Sequence, residues 1–98
     1  MRKIEVTTAF KRDFKREAKG PHRAILDTDL KQIISRLAGD MPLSAKLRDH
    51  ALTGNWKHYR DCHVRPDLVL IYRRIDADDG NPHRLVLVRL GSHSELDL

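Results

Sequence analysis

The chain opens on an alternation of apolar and polar residues at Ile4-Glu5-Val6-Thr7, the period-two pattern of a short strand. Thr7 or Thr8 follows as a helix cap, its hydroxyl able to accept from a free N–H of the first turn. Phe10, Phe14 and Ala18 then recur every four residues and mark one face of a helix. Lys11, Lys15 and Lys19 form a neighbouring stripe, with Arg12 and Arg16 beside it, until Gly20-Pro21 ends the ladder. The pattern predicts a second helix from about His22 to Ala38, with Leu26, Leu30, Ile33, Ile34 and Leu37 as its apolar stripe and Gly39 closing it. Residues 40–55 read as a linker. Three strands follow, at roughly 56–64, 68–74 and 84–90, the last two separated by a turn rich in Asp, Gly, Asn and Pro. The order β-α-α-β-β-β predicts an α+β fold in which two N-terminal helices pack on one face of a mostly antiparallel four-stranded sheet.

Length and charge narrow the picture. The 98 residues predict a single domain with one modest core, spanning 1–98. No apolar run approaches the roughly 20 residues that cross a bilayer, so no membrane partner is expected. The charged N-terminus lacks the apolar stretch of a signal peptide. Cys62 is the only cysteine, which fits a reducing, cytoplasmic location. The net charge of +5 is unevenly spread: residues 1–75 hold 17 Lys/Arg against 9 Asp/Glu, and residues 76–98 hold 2 against 5. A basic body suggests a polyanionic partner, most simply nucleic acid, although a solvated basic surface gives the same numbers.

The chain has no Gly-rich phosphate loop, no CxxC, no HExxH and no GxSxG, so redox and nucleotide-hydrolysis chemistries find no support. It does have six histidines, several near acids and arginines in the C-terminal half. Strand alternation places Tyr59, Asp61, His63 and Arg65 on one face of the first of the three late strands. In the last strand His83, Leu85, Leu87 and Arg89 share a face that continues in phase to His93, leaving Val86, Val88 and Leu90 to meet the helices. Asp61, His63, Arg89 and His93 are then expected to converge away from the helices, with His50 and Asp67 closing the rim. Such a set suits RNA cleavage. The attacking 2′-OH must lose a proton, the 5′-oxygen must gain one, and the crowded phosphorane needs positive charge. Histidine transfers protons near neutral pH and arginine forks onto phosphate oxygens, with no metal or other cofactor required. His22 and His58 are expected to be ordinary surface histidines, His83 a solvated one, Trp56 a core plug and Cys62 an inert packed thiol.

One stretch is more specific. Asp49-His50-Ala51-Leu52-Thr53-Gly54-Asn55-Trp56-Lys57-His58-Tyr59-Arg60-Asp61-Cys62-His63-Val64-Arg65-Pro66-Asp67, continued by Leu70-Ile71-Tyr72 and Arg89-Leu90-Gly91-Ser92-His93, resembles the YafQ-type toxins of the RelE superfamily. The resemblance covers residues 49–93; the first 40 agree only in element order and amphipathic pattern. It implies a cognate antitoxin that masks the active site and ribosome-dependent cleavage of mRNA. It also implies an active site at His50, Asp61, His63, Asp67, Arg89 and His93. His93 is then the general acid, His50, His63 and Asp67 accept and orient protons, and Arg89 clamps phosphate with Asp61 beside it on the RNA-facing surface. The stripe Lys11, Arg12, Lys15, Arg16, Lys19 is expected to dock on ribosomal RNA. Two positions depart from the pattern: an aromatic commonly follows the aspartate, where this chain has Leu68, and some relatives carry an aromatic four residues after the last histidine, where it has Asp97. Two other readings stay open, a metal-dependent nuclease or hydrolase with His50, His63, Asp67 and His93 as ligands, and a non-enzymatic nucleic-acid-binding relative of the toxins.

Overall fold

The computed structural model describes residues 1–98. Strand β1 (Lys3–Val6) leads into helix α1 (Thr8–Glu17), then α2 (Arg23–Leu26) and α3 (Asp29–Ala38). Four more strands follow: β2 (His50–Ala51), β3 (Arg60–Arg65), β4 (Leu68–Ile75) and β5 (Arg84–Gly91). They form one five-stranded sheet in the order β1-β5-β4-β3-β2. β1 runs parallel to β5 and every other pairing is antiparallel. The expected α+β architecture is present with one strand more than the four predicted. The extra strand, β2, is only two residues long and carries no run of apolar residues, so no periodicity announces it.

Thr7 caps α1, its Oγ1 accepting from the Phe10 amide at 3.0 Å. The buried face of this helix is Phe10, Asp13 and Glu17, with Phe14 half-buried, while Ala18 is exposed. The expected apolar line at 10, 14 and 18 is thus shared with two carboxylates. The expected second helix is two helices. α2 ends before Asp27-Thr28, and Thr28, off helical geometry, turns its hydroxyl back to the Ala24 carbonyl. Short polar side chains compete in this way with the helical ladder. Leu26, Leu30, Ile33 and Leu37 then meet Cys62, Val64, Leu68, Leu70, Tyr72, Leu85, Leu87 and Leu90 in the main core. No helix is long and apolar enough to cross a membrane.

Two irregularities decide what reaches the opposite face. β3 starts at Arg60 rather than 56, because Gly54–Trp56 forms a 3-10 turn and His58 takes a φ of 80°. In β5 the register with β4 passes from Arg89↔Ile71 to Leu87↔Tyr72, which leaves Val88 as an extra residue. Such a bulge resets the alternation. Leu85, Leu87 and Leu90 therefore face the helices, and Val88 packs with Val69, Ile71 and Leu96 on the other side. The expectation that Leu85 and Leu87 share the site face, and that Val88 meets the helices, is corrected by this one inserted residue.

Candidate active site

The face of the sheet away from the helices carries three histidines around one buried carboxylate. His50 is brought in by β2, whose pairing sets His50 opposite Asp61 of β3. Asp49 anchors this short strand from the other side, accepting from the Tyr72 hydroxyl and, at 3.2 Å, from Arg60 Nε. His50 Nδ1 lies 2.7 Å from the Arg48 carbonyl and 3.0 Å from Asp61 Oδ1. A carbonyl only accepts, so in neutral His50 the proton sits on Nδ1 and the Nε2 lone pair is the free one. Because that N–H is aimed at Arg48, Asp61 Oδ1 touches the imidazole without receiving an aligned hydrogen bond.

Asp61 is 2% exposed, and burial pushes its pKa above the ordinary carboxylate value. Positive charge on His50, His63 and His93 pulls the other way. The His63 ring centroid is 6.4 Å from that of His50 and 5.0 Å from that of His93. Burial lowers the His63 pKa; Asp61 opposes this, while the charges of His93, Arg48 and His50 add to it. The lowered pKa favours the neutral form of the His63 ring, which can then accept a proton.

His93 sits just past β5 in a turn that is built rather than frayed. Ser92 and Glu95 cap each other, the Ser92 amide donating to Glu95 Oε1 at 2.9 Å and the Glu95 amide to Ser92 Oγ at 3.1 Å. Leu96, 1% exposed, plugs the turn into the smaller apolar cluster, and the Leu98 amide donates to the His93 carbonyl at 2.9 Å. Arg16 holds the turn to α1, with its Nη2 donating to the Leu90 carbonyl at 2.8 Å and its Nε 3.2 Å from Glu95. Gly91 makes room: a Cβ there would lie 2.8 Å from Arg16 Nη2.

Two hollows meet at His93. One, of about 450 Å³, is lined by His50, Asp61, Asn55, Trp56, His93 and Asp97 among others. Trp56 is half-buried at its rim, edge-on to Tyr59 at 5.5 Å, so it is not the core plug expected. The second, of about 640 Å³, is lined by Lys46, Arg48, His63, Val64, Arg65 and His93 among others.

The structure thus assembles His50, Asp61, His63 and His93. Other expected members stand elsewhere. Asp67, in the β3–β4 turn, is 3.2 Å from His22 Nε2, lines neither hollow, and has a largely exposed side chain. His22 is therefore paired rather than idle. Arg89 is turned to α1, its Nε 2.7 Å from Asp13 Oδ2. Asp13 also accepts from the Leu90 amide at 3.0 Å, at the point where β5 has outrun β1 and has no strand on that side. Arg16 is spent on Leu90, Asp13, Glu17 and Glu95, which takes it out of the α1 stripe, whereas Lys11, Arg12, Lys15 and Lys19 are exposed and make no ion pair. Leu68 is fully buried under the helices, so its side chain cannot stack on a base. Cys62 is buried and its thiol pushed up to about 12, an inert group as expected. His83 is exposed, as expected. Sequence reasoning missed Asp13, Lys46 and Arg48. A carboxylate at position i+3 from Phe10 was one signal, and the Lys-x-Arg spacing just before His50 was another.

No group of three or more His, Cys, Asp or Glu side chains converges with metal-binding geometry. The histidines suit a zinc- or copper-like ion chemically, but Asp67 is turned away from them.

The chain is similar to known proteins over nearly its whole length. Residues 2–98 match the family described as the bacterial toxin YafQ of type II toxin-antitoxin systems. The Escherichia coli K12 protein named mRNA interferase toxin YafQ is 36% identical over 96 residues, covering 97% of this chain and 95% of its own length. In the crystal structure of the Escherichia coli DinJ-YafQ toxin-antitoxin complex, the matched chain is 36% identical, with a TM-score of 0.78 over 97% of this chain and 96% of that one. A metal-bound toxin from Helicobacter pylori is 37% identical, with a TM-score of 0.78 over 98% of this chain and 99% of its own. The chain belongs to the YafQ family of bacterial type II toxin-antitoxin toxins.

Proposed function

We propose that the protein is an mRNA interferase, the toxin of a toxin–antitoxin pair, which cleaves mRNA on the ribosome by metal-independent attack of the 2′-OH on the adjacent phosphodiester. The observation that carries this reading is the grouping of His50, His63 and His93 about the buried carboxylate of Asp61. His63, held neutral, takes the 2′-OH proton. His93 protonates the 5′-oxygen as it leaves. His50, fixed by the Arg48 carbonyl with its Nε2 left free, lines the same hollow as His93 and orients the nucleotide. Asp67 acts through His22, steadying the β3–β4 turn. The exposed cations Lys11, Arg12, Lys15 and Lys19 dock on ribosomal RNA. A cognate antitoxin, such as the DinJ found in complex with Escherichia coli YafQ, covers the histidine face.

The test is single-turnover cleavage of a synthetic mRNA on programmed ribosomes. Wild type yields a 2′,3′-cyclic phosphate or 3′-phosphate and a 5′-hydroxyl, and a 2′-O-methyl group at the scissile nucleotide blocks the cut. His93→Ala, folded by circular dichroism, loses about 10²–10⁴ in rate, the usual cost of a general acid. A folded His93→Ala cutting within about threefold of wild type removes His93 from that role. The metal-bound relative from Helicobacter pylori keeps one alternative in view, a metal-dependent nuclease. Cleavage that vanishes in chelator and returns with zinc establishes it; full activity in chelator ends it.

A further inference from the structure

With Arg89 and Arg16 both committed to α1 and its surroundings, the histidines need their positive charge from another source. The second hollow supplies it. One wall is His63 and His93, with ring centroids 5.0 Å apart, and the other is the 3-10 turn Ala45–Leu47 and the residue that ends it, Arg48. Arg65, on the floor, is already 2.6 Å from Asp29. Lys46 and Arg48 have no ion-pair partner and line the hollow as exposed cations. Arg48 is also held in an unusual backbone state. Its φ of 50° lies in the left-handed region, costly for a side-chain-bearing residue. That state is secured by its own amide donating to the Ala45 carbonyl at 3.1 Å and by His50 Nδ1 on its carbonyl at 2.7 Å. The same contact that fixes the His50 ring therefore fixes where the Arg48 side chain leaves the backbone.

We infer that the hollow beside the 3-10 turn is the phosphodiester subsite of the RNA, with Arg48 on the phosphate being cleaved and Lys46 on its neighbour. This rests on the proposed RNA cleavage and names the groups that bind the substrate's charge. Attack by the 2′-oxygen adds negative charge to the phosphorane oxygens, and a guanidinium lining the same hollow as His63 and His93 can meet that charge as it develops. The placement agrees with the charge of Arg48 being felt at His63.

Two experiments test it on the full chain. On programmed ribosomes, Arg48→Gln is expected to lower kcat about 10²-fold, Arg48→Lys to recover part of that, and Lys46→Gln to raise KM severalfold with kcat held. In the second, a short RNA bearing 2′-O-methyl groups throughout is titrated without ribosomes and followed by the His63 and His93 ring resonances. Each of Arg48→Gln and Lys46→Gln is expected to weaken binding and reduce the slope of log K against log salt by about 0.7. Ring resonances that shift on titration, with slopes reduced in both variants, support the subsite even where wild type fails to cleave and the cleavage reading falls. Folded Arg48→Gln with kcat and KM within about threefold of wild type, or with an unchanged salt slope, overturns it.

Discussion

Replacing Arg89 by glutamine separates two roles for one residue. The resemblance places Arg89 on substrate phosphate; the structure places it on Asp13. Asp13 has a side chain 3% exposed and receives Arg89 Nε at 2.7 Å, Arg89 Nη2 at 3.3 Å and the Leu90 amide at 3.0 Å. Removing one partner of a buried ion pair costs about 3–5 kcal/mol, because the other charge is left in a poorly solvating site. Arg16 Nη1 remains 3.2 Å from Asp13 and the Leu90 amide stays in place. The expected loss is therefore near the lower limit, about 3 kcal/mol. In a chain of this size that lowers Tm by roughly 12–24 °C. The pH dependence fixes the cause. Burial alone would raise the pKa of Asp13, but Arg89, the Leu90 amide and Arg16 together hold it below the ordinary carboxylate value. A depressed folded pKa contributes stability that is present above the unfolded value and lost as pH falls through the folded one. Wild type and Arg89→Gln should therefore differ fully at pH 7 and converge in strong acid. Urea denaturation across pH, with Asp13→Asn and the double variant completing a thermodynamic cycle, measures both. An Arg89→Gln protein within about 0.5 kcal/mol of wild type at pH 7, yet unable to cleave RNA, refutes the reasoning and returns Arg89 to the substrate.

Because His63 must be unprotonated to act and its pKa is lowered, the acid limb of kcat/KM should fall below 6.5, the ordinary histidine value; Asp61→Asn, which removes a charge that raises it, should move the limb lower still. The same Asp61→Asn should raise Tm by a few degrees while slowing cleavage. A carboxylate with a raised folded pKa favours the fold below its unfolded pKa, and that advantage is gone at pH 7, where Asn carries no buried charge. Reversing Lys11, Arg12 and Lys15 should weaken ribosome association and flatten its salt dependence, with the chemical step unchanged at saturating ribosome; normal association of that variant would make these residues a merely solvated face. Asp97→Phe should sharpen the map of cleavage sites across a codon library, since Asp97 lines the hollow shared by His50 and His93 and a base–aromatic stack contributes roughly 1–3 kcal/mol; identical maps would take Asp97 out of recognition.

What the sequence made legible follows from period and punctuation. The capping threonine, the stop at Gly20-Pro21, the leucine stripe of α3 and the two apolar strands β4 and β5 each rest on a signal within a few residues. Asp61 and His63 could be placed on one face because β3 is regular between them. The signals failed where a single residue breaks phase. Val88 inserts into β5 and turns Leu85 and Leu87 to the helices, and Asp27-Thr28 divides a helix whose apolar spacing runs unbroken through it. Asp13 was hidden because a carboxylate at a helical position reads as solvent-facing until its partners, 76 and 77 residues away, are known. Lys46 and Arg48 were passed over for a similar reason: their value depends on which histidines the sheet sets opposite them.

The place of β5 bears on the order in which the molecule is made. β1 pairs only with β5, Lys3 opposite Arg84 and Val6 opposite Leu87, so the earliest strand to be synthesised waits for the latest. Pairings of such long sequence separation close late, after their loop entropy has been met. A nascent chain that ends before residue 84 has α1 without its seat, Asp13 without Arg89 and the Leu90 amide, and His63 without His93. The hairpin β3–β4 and the short β2 form from neighbouring segments, but they supply only two of the three histidines, His50 and His63. On the proposed mechanism, cleavage therefore waits until β5 and His93 have left the ribosome and paired, and a shorter nascent chain is no active cutter.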